Sequence, residues 1–124
     1  MTELLYKDES YLIIGKCMEI HRLLGFGFKE AVYKDALELE LQAEGIPFQR
    51  EKRFEVVYKN VVLRHHYVAD FVVFDRIILE IKATAAVHEA FTFQTVNYLK
   101  ASGLRLGMII NFGEKSLRYQ RVIL

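Results

Sequence analysis

Apolar residues recur along the chain with two different periods, and the switch between them divides it. From residue 10 the spacing is helical: Ile13, Ile14, Cys17, Ile20 and Leu24 fall on one face. Ser10 stands where a cap would satisfy the first free amides, and Gly25 supplies a stop. After the glycine-punctuated stretch GFGF, a second helix is predicted over about residues 29–44, with Val32, Tyr33, Ala36, Leu37 and Leu41 inward; Gly45 and Pro47 end it. Residues 48–83 then change to alternating and continuous apolar runs rich in β-branched and aromatic residues. They read as FEVVY, a KN turn, VVLRHHYVADFVVF, a turn near Asp75 and Arg76, and IILEIKA, an antiparallel meander. Helical spacing returns over about residues 88–101 and stops at Ser102 and Gly103, after which LGMIINF and RYQRVIL read as two more strands.

The predicted order is therefore ααβββαββ, an α+β fold in which helices flank a small mixed sheet. Length and composition bound this further. A chain of 124 residues, 52% hydrophobic and 27% charged, is expected to make one domain over residues 1–124 with its own core. Its apolar runs break well before the roughly 20 residues of a membrane span, and no signal peptide is read at the start, so a soluble, cytoplasmic protein without a membrane partner is expected. The single cysteine, Cys17, excludes an internal disulfide and a cysteine-based zinc site. A net charge of +1 gives no broad basic surface of the kind that binds nucleic acid nonspecifically.

The candidate chemistry sits at the end of the most apolar strand. In a strand, side chains two apart share a face, so Glu80 and Lys82 point one way while Leu79 and Ile81 point the other. Charges inside such a strand require a partner or a metal. A structural ion pair at the strand end is the plain explanation. Asp70, on the preceding strand and again followed directly by apolar residues, adds a second carboxylate. Two facing carboxylates repel, and Mg²⁺ relieves this, because it takes oxygen ligands, often one or two carboxylates, and keeps room for water and phosphate. A lysine beside it orients or deprotonates water and offsets charge in the transition state, which is what phosphodiester hydrolysis needs.

Register tests the proposal. A two-residue hairpin at Asp75 and Arg76 would pair Phe74 with Ile77 and put Asp70 opposite Ile81, turned away from Glu80 and Lys82. A shared site requires a three-residue connection, such as 75–77, or a bulge that shifts the pairing by one. The shifted register is the expectation.

These residues resemble a known family. D-x9-E-x-K on a meander followed by helix and strand is similar to the PD-(D/E)xK nuclease superfamily, and GFKEAVY, with Gly27, Glu30 and Tyr33, matches the motif of its GxxExxY proteins. YVADF, LEIKAT, QTVNYL and LGMIINFG resemble the family's successive blocks, so the likeness covers nearly the whole chain. It implies a restriction-endonuclease-like core and a metal-dependent nuclease, with DNA expected over RNA as substrate and Mg²⁺ or Mn²⁺ as cofactor. It further implies Asp70 and Glu80 as metal ligands, Lys82 as catalytic lysine and Glu30 as the helix-borne acid completing the site, with Gln94 and Tyr98 supporting it from the third helix. One departure is Ala69, where the family pattern has proline before the aspartate. On the residues alone, Glu30, Tyr33 and Leu37 share a helical face, and a helix-start acid with a core tyrosine is the plainer account. Gln94 and Tyr98, one turn apart, suit either packing or contact with the lysine.

Other patterns carry less. GFGF lacks the Lys-Ser/Thr of a phosphate-binding loop, and HEAFTF has Thr92 where a zinc helix needs histidine. His65 and His66 point to opposite faces. Lys52, Arg53, Lys59, Arg64 and Lys100 are scattered bases without interleaved aromatics. Two functions from different classes stand: a nuclease, or a nuclease-like fold kept as a binding or oligomerisation module. For the second, the small size and near-neutral charge point to a homodimer or a protein partner.

Overall fold

The computed structural model describes residues 4–124. Its elements are α1 (Lys7–Leu24), α2 (Glu30–Ala43), β1 (Phe48–Tyr58), β2 (Val61–Val73), β3 (Ile77–Lys82), α3 (Glu89–Ser102), β4 (Leu106–Asn111) and β5 (Arg118–Ile123), the predicted order. The five strands form one sheet in sequence order, antiparallel except for the parallel pair β3–β4 that α3 bridges. This is the restriction-endonuclease-like arrangement expected. Among the described residues no helix is long and apolar enough to cross a membrane.

Helices cover both faces of the sheet. On one, α1 and α2 set Ile13, Cys17, Tyr33, Leu37 and Leu41 against Phe71, Leu79, Ile81, Met108 and Ile110. On the other, α3 sets Tyr98 and Leu99 against Val72, Ile78, Ile109 and Val122. The alternation in β3 is as predicted, with Ile77, Leu79 and Ile81 on the first side and Ile78 on the second.

Three local expectations are corrected. Helix α1 begins at Lys7, so Ser10 is not its cap; Ser10 is buried inside the first turns. Its hydroxyl donates to the Tyr6 carbonyl at 2.7 Å and accepts from Arg121 of β5 at 2.7 Å, which draws it inward. Val32 lies on the exposed side of α2 and Ala36 is only half-buried, because the buried stripe runs through Tyr33, Leu37 and Leu41 alone. The β2–β3 connection is three residues long but comprises 74–76, one position earlier than 75–77. Val73 pairs with Ile77, and Phe74 and Asp75 both take left-handed backbone, φ 57° and 56°. That turn chemistry is unusual for a phenylalanine.

The β1–β2 ribbon turns over where it leaves the sheet. Ala69 packs on the α3 side and Phe71 on the α1/α2 side, although residues two apart in a regular strand share a face. Across from this point Glu51 has φ 56°, and the ladder steps from Arg50↔Phe71 to Lys52↔Ala69. Beyond it the two strands pair only with each other, and Val57, Tyr58, Val61 and Val62 at the tip are exposed.

Candidate functional site

The turnover places Asp70 at the end of the β2–β3 ladder. The last ladder pair is Phe71↔Leu79, and one step further Asp70 falls opposite Glu80. The expected 75–77 connection would have set Asp70 against Lys82 instead. At this step side chains replace the ladder: Glu80 Oε2 accepts from the Asp70 amide at 3.0 Å, and Asp70 Oδ2 accepts from the Ile81 amide at 2.7 Å. Each strand end is thus tied to its neighbour through the other's carboxylate, and the two carboxylates are held side by side.

That crowding shows in the electrostatics. Glu80 is 3% exposed, and its pKa is pushed up to about 8, first by burial and then by the charge of Asp70, against hydrogen bonds from the Asp70 amide and Tyr98 and the pull of Lys82. The Tyr98 hydroxyl is raised well above its ordinary value in turn, first by burial and then by Glu80. Its ring meets Tyr67 edge-on at 5.4 Å.

Lys82 is aimed by α3. Its ammonium donates to Gln94 Oε1 at 3.1 Å and stands 4.5 Å from the centroid of the Phe91 ring, so an amide and an aromatic face fix it on the Glu80 side of the sheet. The segment after Lys82 is pinned to β4. Asn111, fully buried, accepts from the amides of Thr84 and Gly113 and donates to the Thr84 carbonyl, and the Phe112 amide donates to the Lys82 carbonyl at 2.8 Å. Gly113 passes so close that a Cβ there would lie 2.3 Å from the Thr84 backbone.

Glu30, the first residue of α2, is exposed at the edge of this corner. Its carboxyl is raised, first by partial burial and then by Asp70, while Lys82 and Lys34 oppose the rise. Tyr33 is elsewhere. It is buried in the α1/α2 layer, stacked on Phe112 at 4.6 Å, and its hydroxyl donates to Gly25 and accepts from the Phe28 amide. It fixes the GFGF loop that leads into Glu30.

Two polar residues at the corner were not anticipated. Lys34 donates to Asp70 Oδ1 at 3.1 Å and also to the carboxylate of Glu51. Burial works to lower its pKa, but the bonds to Glu51 and the charge of Asp70 outweigh this and hold the ammonium above its ordinary value. Lys34 was findable, since it lies one turn from Glu30 on the same helix face. Nothing in the sequence marks Glu51, whose left-handed backbone turns on the tertiary twist.

The chemistry of the donor set suits a hard divalent cation. Asp70 and Glu80 offer only oxygen and stand close enough to repel, and Asp70 already draws a cation, Lys34. Among the described residues no group of three or more His, Cys, Asp or Glu side chains is placed to hold an ion by itself. The protein would therefore supply two carboxylates and leave other positions to water and phosphate.

The family model for the PD-(D/E)XK nuclease superfamily matches residues 7–122. The chain belongs to this superfamily. Its members usually use divalent metals. Among solved structures, this PD-(D/E)XK chain is similar to the crystal structure of SSO0001, with a TM-score of 0.60 and 16% identity over 75% of this chain. It spans about half of that longer chain, 48%. At that identity the likeness shows the fold alone. No curated protein matches the chain at a significant level.

Proposed function

We propose that this superfamily member, of the GxxExxY type, is a metal-dependent nuclease that hydrolyses phosphodiester bonds, in DNA rather than RNA, as one domain in the cytoplasm. What carries the reading is the reciprocal tie between Asp70 and Glu80 beside a lysine fixed by Gln94. In it Asp70 and Glu80 hold Mg²⁺ or Mn²⁺, and Glu30 completes the acidic edge. The ion, when bound, supplies Lewis acidity to the phosphate and to the attacking water. Lys82, steadied by Gln94 and the Phe91 face, orients the water and offsets charge developing on the phosphate. Tyr98 steadies Glu80 from α3, and Tyr33 sets the loop from which Glu30 starts.

A second reading, a nuclease-like fold used for binding or oligomerisation, draws on the ribbon tip, where Val57, Tyr58, Val61 and Val62 are 53–62% exposed. Cleavage separates the two. Linear, circular and single-stranded DNA, and RNA, are incubated with Mg²⁺ or Mn²⁺ and either the natural chain or Lys82→Ala. The nuclease reading expects cleavage that falls about a hundredfold in Lys82→Ala, roughly 2.7 kcal/mol of transition-state stabilisation, without loss of fold. An unchanged rate in the variant assigns the cleavage to another source, and no cleavage of any substrate favours the binding module.

A further inference from the structure

We infer that Lys34 is a tethered counter-cation, neutralising Asp70 when no metal is bound and withdrawing to Glu51 when a divalent ion takes that carboxylate. This rests on the reading of Asp70 and Glu80 as metal ligands. The oxygens of Asp70 are not equivalent. Oδ2 is committed to the Ile81 amide, whose bond closes the tie between β2 and β3. Oδ1 is the oxygen on which the Lys34 ammonium sits, at 3.1 Å. A divalent ion binding Oδ1 meets that like charge at close range, and the two exclude each other.

The ammonium has somewhere to go. It already bonds Glu51, so release from Asp70 breaks one of two contacts and leaves the charge partnered. The two sites differ in solvent access: the side chain of Asp70 is 17% exposed and that of Glu51 51%, with Lys34 itself at 12%. The partner that the ammonium keeps is thus the wetter one, where a single pair of charges is weakly held and easily adjusted. Glu51 meets the ammonium from a left-handed backbone, φ 56°, which a non-glycine residue rarely adopts. Such outliers cluster where function needs a side chain aimed off the regular path.

An ordinary structural bridge and a counter-cation make opposite statements about metal affinity. Titration calorimetry with Mn²⁺ and Mg²⁺, and thermal melts at matched ionic strength, compare the natural chain with Lys34→Met, Lys34→Arg, Glu51→Gln and, to fix the site, Asp70→Asn. Lys34→Met is expected to bind the ion about tenfold more tightly and to melt lower in EDTA. Lys34→Arg keeps the charge and the natural affinity. Glu51→Gln removes the second partner, keeps the ammonium on Asp70, and weakens binding. Equal or weaker binding by Lys34→Met than by the natural chain overturns the inference while leaving Asp70 and Glu80 as ligands. Binding undiminished in Asp70→Asn removes the ligand reading itself. No binding by the natural chain and none by Lys34→Met overturns both, whereas binding that appears only on removing Lys34 supports the counter-cation.

Discussion

The two faces of the sheet are packed under different rules. Between the sheet and α1/α2 the buried layer carries no charged side chain and runs from Ile13 and Cys17 to Met108, Ile110 and Phe112, its buried polar groups being the hydrogen-bonded hydroxyls of Ser10 and Tyr33. Between the sheet and α3 a smaller cluster built on Val72, Ile78, Leu99 and Ile109 shares its space with Glu80, Thr95 and the Lys82–Gln94 pair. β3 belongs to both: its odd residues feed the first layer and its even residues the second. A polar group that is buried unfavourably is tolerable when the remaining core supplies a surplus, since net stability is only about 5–15 kcal/mol. The apolar layer therefore carries stability, and the mixed layer carries a carboxylate that folding alone would not select.

The largest effect tests the apolar side. Leu37→Ala removes a fully buried side chain from α2, and denaturant unfolding is expected to show a loss of about 2–5 kcal/mol, with any response to Mg²⁺ retained. A loss no larger than that of a surface substitution would erase the contrast between the faces.

Next comes pH, which acts through the mixed side. Glu80 titrates in the folded state near 8 and in the unfolded state near 4.3. Below about 4.3 both states hold the proton. Between the two values the folded state keeps it and the unfolded state has lost it, so stability falls as pH rises, by at most about 1.4 kcal/mol per unit, and the fall ends above about 8. Urea unfolding in EDTA from pH 5 to 9 measures this slope, and a flat or rising profile would show that Glu80 is not held protonated by its surroundings.

The smallest effect is the sharpest. Glu80→Gln resembles the protonated acid and keeps an oxygen for the Asp70 amide. At pH 7 without metal its stability is expected within about 1 kcal/mol of the natural chain, its pH slope near zero, and its Mg²⁺ response lost. A large destabilisation at pH 7 would mean that the charge of Glu80, not its shape, serves the fold.

Much of this was legible from periodicity. The order of elements, the two faces of β3 and the need for a three-residue turn all follow from spacings of two and 3.6. What escaped depended on backbone conformations that residue type does not announce. Phe74 and Asp75 are left-handed together, so the connection shifts by one position; Glu51 is left-handed within a strand, where it meets Lys34. Ser10 turns inward instead of capping because it is held by Arg121, more than a hundred residues away in the sequence. Lys34 could have been named from its spacing to Glu30, whereas its partner across the ribbon could not.

The close passage of Gly113 bears on how the site tolerates mutation. There the chain after β4 rests directly on the chain after β3, with 2.3 Å between a would-be Cβ and both the N and O of Thr84, and 2.5 Å to the carbonyl carbon of Ala83. Since these are backbone atoms, no side chain can rotate aside to make room. A methyl group at Gly113 must push the Ala83–Thr84 segment, and with it the end of β3 that bears Lys82. The set of positions at which drift can disarm this chain is therefore wider than its set of polar groups, and includes one residue with no side chain at all.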